Sequence, residues 1–211
     1  MANVAVQSTG TIRDRSFFPI SRNHFLQKTS ISKGTHTMDY THHYISPLGG
    51  ITMASDGKYL TGLWFDGQKY FADTLKAQHE EKNLDVFRQT DLWLDIYFSG
   101  KEPDFTPPLR MRGSEFRQEV WQILLTIPFG KTITYGEIAK ILADRRGANT
   151  MSAQAVGGAV GHNPISLIIP CHRVIGTNGA LTGYAGGLEK KAWLLDMETQ
   201  SSVIFTTYAL V

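Results

Sequence analysis

A chain of 211 residues is long enough for one or two domains with a buried core, and 42% apolar with 19% charged residues is ordinary globular composition. A single cysteine excludes a disulfide framework and a thiolate-rich structural zinc site, and it fits a reducing cytoplasm. No apolar run approaches membrane-spanning length and the N-terminus has no signal-peptide core, so a soluble, intracellular protein is expected, with no membrane partner. The net charge of +2 is weak for a polyanion binder. Residues 1–108 carry 11 Lys/Arg against 12 Asp/Glu, or −1, whereas 109–211 carry 10 against 7, or +3. A polyanion would therefore meet a local patch in the C-terminal half, with a shallow salt dependence.

Residues 1–37 are polar and aperiodic apart from Phe17-Phe18-Pro19-Ile20, and read as a disordered extension. Residues 40–45, 51–54 and 59–65 read as strands, with turns at 47–50 and 55–58. A short helix is predicted over 91–98, with Leu92 and Ile96 on its apolar face and Gly100 as its stop. The Pro-rich stretch 103–108 is the candidate domain boundary, dividing a small α/β module (38–108) from a C-terminal domain (109–211).

In the second half, Ser114 is a candidate N-cap for a helix carrying Phe116, Val120, Ile123, Leu124 and Ile127, which Pro128 ends. Thr134 and Glu137 form a capping-box pattern opening a helix at Tyr135, with Ile138 and Leu142 inward and Gly147 as its breaker. A third helix, about 152–161, completes a helix-turn-helix. Its Ala153, Gln154, Ala155, Val156, Gly157, Gly158 and Ala159 are unusually small. Two interior glycines each cost about 1 kcal/mol of helix propensity. They fit either tight helix packing or a smooth surface for a narrow groove. A final helix over 188–198 offers Leu188, Ala192, Trp193 and Leu195 for packing, and Glu198 at its end reads by itself as a solvated charge.

The lone cysteine follows an apolar run, Leu167-Ile168-Ile169-Pro170, which reads as a short buried strand or extended segment. Proline removes a backbone donor, so the chain is expected to leave the core there and carry Cys171 into a turn beside His172 and Arg173. A lone cysteine is usually a small buried hydrophobe. Pro, His and Arg are poor companions for that role, and a thiol becomes a nucleophile as the thiolate, which nearby cations favour.

Pro170-Cys171-His172-Arg173-Val174, with Asn163 eight residues earlier and Thr182-Gly183-Tyr184-Ala185-Gly186-Gly187 following, resembles the active-site segment of the O6-alkylguanine-DNA alkyltransferases. The resemblance spans roughly residues 39–198, so Met38 is a plausible natural start. It implies a small RNase H-like α/β domain without catalytic residues of its own, then a mostly helical, winged helix-turn-helix-like domain carrying the site. It also implies irreversible transfer of an alkyl group from guanine O6 in DNA, with O4-alkylthymine as an alternative, to Cys171. Each molecule would react once, without cofactor or metal, as a monomer in the cytoplasm. His172 would take the thiol proton through a water, Glu198 would orient that imidazole, and Tyr135 would protonate the leaving base. Asn163 would brace the turn, Tyr184 would wall the pocket, and Val174, Ala185 and Arg173 would line the base. The third helix would enter the minor groove of duplex DNA without reading sequence, through Ala153, Gln154, Ala155, Gly157 and Gly158, with Arg145 and Arg146 in the preceding turn for phosphate.

One residue departs from the pattern: Gln154 stands where the family commonly has an arginine that fills the duplex behind the extruded base. Gly176 and Ala185 are expected to keep the pocket open. Three rival readings remain at this stage: a lesion sensor without chemistry, which Cys171 disfavours; a cysteine hydrolase, for which no oxyanion motif is evident; and a transcriptional regulator, for which a second acceptor cysteine is missing.

Overall fold

A computed structural model of the protein describes residues 38–208, with side chains through Gln200; the extension expected over 1–37 lies outside the described residues. Three strands, β1 (Asp39–Ser46), β2 (Gly49–Ser55) and β3 (Leu60–Phe65), form an antiparallel meander, and β4 (His79–Glu81) adds in parallel to β1, giving the order β3-β2-β1-β4. Strand β3 is buried throughout. Its free edge is not left open. Leu60 takes an amide bond from Arg110 and gives one to Pro108, and Leu63 bonds Pro164 and Ser166 in the same way, each at 2.8 Å. The sheet edge thus holds both the end of the proline-rich stretch and the start of the cysteine segment.

Helix α1 (Asp85–Phe98) packs on β1 and β2. It begins six residues before the predicted start, and its inward face is Val86, Phe87, Thr90, Trp93, Leu94 and Tyr97. Leu92, assigned inward from the sequence, is 53% exposed. The N-cap, Leu84, makes no side-chain cap bond, so the sequence carries no start signal. At the other end Gly100 adopts φ +83, and Gly100 and Lys101 donate back to Tyr97 and Ile96. This is the left-handed termination that glycine permits.

Helix α2 (Glu115–Leu124) is capped by Ser114 as expected, but it ends before Pro128; Ile127, counted as helical from its spacing, lies beyond it. Strand β5 (Ile133–Thr134) leads directly into α3 (Tyr135–Arg146), which opens with the complete Thr134–Glu137 capping box and closes on Gly147 in the left-handed region. After the connection 147–152 comes α4 (Ala153–Gly161), capped by Ser152. Fully buried Trp121 of α2 donates its indole N–H to the Ala159 carbonyl of α4 at 2.8 Å. Strand β6 (Val174–Ile175) pairs in parallel with β5, and α5 (Leu188–Tyr208) closes the described chain.

Most of the buried apolar residues, from Ile51 to Leu194, form one continuous cluster. The face expected on α5 is reversed: Leu188 is 47% and Trp193 39% exposed, whereas Lys191, Leu194 and Glu198 are fully buried. No described helix is long and apolar enough to cross a membrane.

Candidate active site

The apolar run 167–170 is a buried turn rather than a strand. Leu167 adopts φ +69, a left-handed conformation that strains a branched residue. Every residue from Asn163 to Val174 is buried, so the chain does not leave the core at Pro170. Cys171 opens a short 3-10 turn, Cys171–Arg173, and is only 4% exposed. Asn163 explains how the turn is held. Its side-chain amide donates to the carbonyls of Ile165 and Ile169 and to the Cys171 sulfur at 3.1 Å, and its oxygen accepts the Ile165 amide. One side chain thus replaces the ladder bonds this segment lacks.

His172 is fully buried and points its Nε2 at Glu198 Oε1, 2.8 Å away. Glu198 is also fully buried. It accepts from Arg173 Nε and Nη2 at 2.9 and 3.0 Å, from the Tyr97 hydroxyl at 2.7 Å and from the Gly130 amide at 3.1 Å. Burial pushes its pKa up, but His172 and Arg173 outweigh burial and hold it at about 2. A carboxylate that stays ionised can only accept, so His172 Nε2 carries the proton. Burial lowers the histidine's own pKa against the opposing pull of Glu198, keeping the ring neutral. Nδ1 is then a bare base, and it is buried with no hydrogen-bond partner among the described residues.

The Cys171 thiol is pushed up by burial, with the Asn163 bond and the Lys191 charge opposing. At rest it is a protonated thiol that needs a base as it attacks. Lys191, in the first turn of α5, donates its Nζ to the carbonyls of Val174 and Thr182 at 2.6 Å, and burial lowers its pKa to about 8. It ties β6 to the glycine-rich loop that faces the cysteine.

A cavity of about 310 Å³ opens over the sulfur, lined among others by Tyr135, Gly157, Gly158, Cys171, Tyr184 and Ala185. That is the scale of a small-molecule site. The Tyr184 hydroxyl is buried without a partner, and burial raises its pKa well above the ordinary phenol range. Burial likewise raises Tyr135. The cavity therefore offers protonated phenols, a shielded thiol and backbone edges.

Two family models match this chain: "6-O-methylguanine DNA methyltransferase, ribonuclease-like domain" over residues 40–111, and "6-O-methylguanine DNA methyltransferase, DNA binding domain" over residues 115–200. The chain belongs to the 6-O-methylguanine DNA methyltransferase family. Among its relatives, the methylated-DNA–protein-cysteine methyltransferase of Haemophilus influenzae is 41% identical over 160 residues, covering 75% of this chain and 86% of that one. The Mycobacterium tuberculosis protein of the same name is 45% identical over 153 residues, covering 72% and 88%. The crystal structure of Mycobacterium tuberculosis OGT in complex with DNA is 41% identical with a TM-score of 0.65, covering 78% of this chain and 94% of that one.

Set against the sequence-based expectations for this family, Asn163 bonds Cys171 and Glu198 bonds His172, two pairs joined by the backbone between residues 171 and 172, and Tyr135, Tyr184, Ala185, Gly157 and Gly158 line the cavity with the cysteine. Glu198 is no solvated charge. Val174 lies just behind, its carbonyl on Lys191. Arg173 does not line this cavity: its guanidinium is spent on Glu198 and the Ile127 carbonyl. Arg145 and Arg146 belong to the last turn of α3 rather than to a loop, and Arg146 is engaged by Glu119. Ala153, Gln154 and Ala155 are exposed on α4. Gly176 is outside the cavity lining, and a Cβ there would press on Thr182 and Ala180, so its size serves the 176–182 loop.

Sequence reasoning missed Tyr97, Lys191 and the Gly130 amide. Tyr97 sits on α1, 101 residues from the carboxylate it bonds, and no local pattern marks it. Lys191 had a usable signal, a cation seven residues before Glu198 on one helical face.

Because the folded pKa of Glu198 lies below its unfolded value of 4.5, its stabilisation is complete above pH 4.5 and is lost as the pH falls toward 2. Urea denaturation should show that loss in the native protein and a flatter profile in Glu198→Gln. Glu198→Ala at pH 7 should cost about 3–5 kcal/mol, because Arg173 is left buried and unpaired.

Proposed function

We propose that this protein repairs alkylated DNA by moving the O6-alkyl group of a guanine to its own Cys171, each molecule reacting once. The observation that carries this reading is the buried thiol held by Asn163, next to a neutral histidine whose bare Nδ1 has no partner among the described residues. His172 takes the thiol proton through one water, and Glu198 holds the imidazole in that tautomer and stabilises the charge it acquires. The sulfur attacks the alkyl carbon, the S–C bond forms and the C–O6 bond breaks. The electron pair leaves on the guanine, and Tyr135, kept protonated by burial, supplies its proton. The product is a thioether, which water does not cleave, so the protein is consumed. The chemistry calls for no cofactor.

A base inside a duplex cannot reach a buried sulfur, so it must be extruded into the cavity. The outer face of α4 fits an approach along the minor groove without sequence reading. Ala153, Gln154, Ala155 and Gly158 are exposed, and a Cβ built on Gly158 would meet nothing within 4 Å. Helix packing therefore does not require that glycine, whereas a surface lying against DNA would. The protein acts as a monomer in the cytoplasm, where a reducing milieu keeps the one cysteine free.

Intact mass after incubation with a duplex carrying one O6-methylguanine tests the reading. The expected result is one methyl group gained, mapped to Cys171 and abolished in Cys171→Ser. Unchanged mass with lesion-selective binding would instead mean a sensor. Gln154→Arg should raise the single-turnover rate on duplex DNA several-fold, by filling the gap behind the extruded base; an unchanged rate would show that residue 154 does not enter the stack.

A further inference from the structure

The cavity over Cys171 is not built from the C-terminal half alone. Lys69 and Tyr70, from the loop after β3, also line it, together with His162, the C-cap of α4. The Tyr70 ring stacks on the His162 imidazole with centroids 3.9 Å apart, and the Lys69 ammonium lies 4.8 Å over the same tyrosine ring. His162 is itself fixed, since its Nδ1 donates to the Gly158 carbonyl at 2.7 Å.

This lip is held rigidly. Buried Gln68 accepts from the Phe65 amide and the Ser166 hydroxyl, binding the loop to the turn before the cysteine. The Lys69 amide donates to the Ala185 carbonyl at 3.0 Å, binding it to the loop after the cysteine. Tyr70 and Ala72 both adopt left-handed backbone, with φ +61 and +53. Two strained non-glycine residues within three positions persist only where the surroundings impose them, and such strain gathers at functional sites.

We infer that the Lys69-Tyr70 lip is a DNA-backbone contact of the N-terminal domain, in which Lys69 takes a phosphate beside the nucleotide extruded toward Cys171. The inference rests on the function proposed above. His162 stacks on the Tyr70 ring and Lys69 lies over the same ring, so Tyr70 holds the ammonium at the mouth. Lys69 is exposed and in no ion pair among the described residues, unlike Arg146, which Glu119 engages.

The test measures binding of a duplex carrying one O6-methylguanine across a salt series, with every protein in the Cys171→Ser background so that no reaction intervenes. Each phosphate neutralised contributes about 0.9 to the slope of log affinity against log salt. Lys69→Ala should lower the slope by that amount, so that between 50 and 200 mM salt its affinity falls roughly 3–4-fold less than that of the parent. Lys69→Arg should restore the slope. Lys58→Ala, the same charge change in the β2–β3 turn, should leave it unmoved. An unchanged slope in Lys69→Ala, or an equal loss in Lys58→Ala, overturns the inference while the repair reading stands. Failure of the parent to bind either damaged or intact duplex removes both.

Discussion

A single buried carboxylate organises this molecule. Glu198 lies on the inner face of α5, and its two oxygens collect donors from His172 and Arg173 in the cysteine turn, from Tyr97 on α1 and from the Gly130 amide after α2. A charge in such a place is costly unless its lone pairs are filled, and here the partners come from three separate parts of the chain. The arrangement fixes the imidazole tautomer, gives Arg173 its counter-charge and draws α1 and α5 onto the segment that carries the nucleophile. Chemistry and packing share one group, so neither can be altered alone.

The N-terminal sheet has more to do than accompany the reactive domain. Strand β3 lends its edge to residues 108–110 and 164–166, so the cysteine segment is registered against a strand from the other half of the chain. Gln68 and the Lys69 amide bind the two sides of the site to the next loop, and Tyr97 reaches Glu198 from the helix packed on that sheet. The resemblance noted in the sequence implied a domain with no catalytic residues of its own; none of these groups touches the sulfur, yet together they position what does.

Local signals in the sequence were dependable where a short-range bond makes the structure. The Thr134–Glu137 box, the Ser114 cap and the Gly100 and Gly147 stops are all realised, because each acts within a few residues. The bracing place of Asn163 came from the resemblance and from no local signal, and its amide does bond the Cys171 sulfur. Apolar periodicity failed where tertiary bonds compete. The first turn of α1 has no side-chain cap, Leu167 is forced into left-handed backbone inside an apolar run, and α5 buries Lys191 and Glu198 while exposing Leu188 and Trp193. That last inversion made the key carboxylate look like a solvated charge, and only the resemblance pointed to it. A charge is buried only when distant partners are assembled around it, and Tyr97 and Gly130 lie 101 and 68 residues away.

Burial keeps His172 neutral, and Glu198 fixes its proton on Nε2, leaving Nδ1 free to receive the thiol proton. Side-chain nitrogen NMR of His172 at neutral pH tests it most directly. The expected spectrum has one protonated nitrogen, Nε2, and one bare, pyridine-type nitrogen, Nδ1. A doubly protonated ring, or a proton resident on Nδ1, would contradict it, because neither form can accept a proton where Cys171 must give one up.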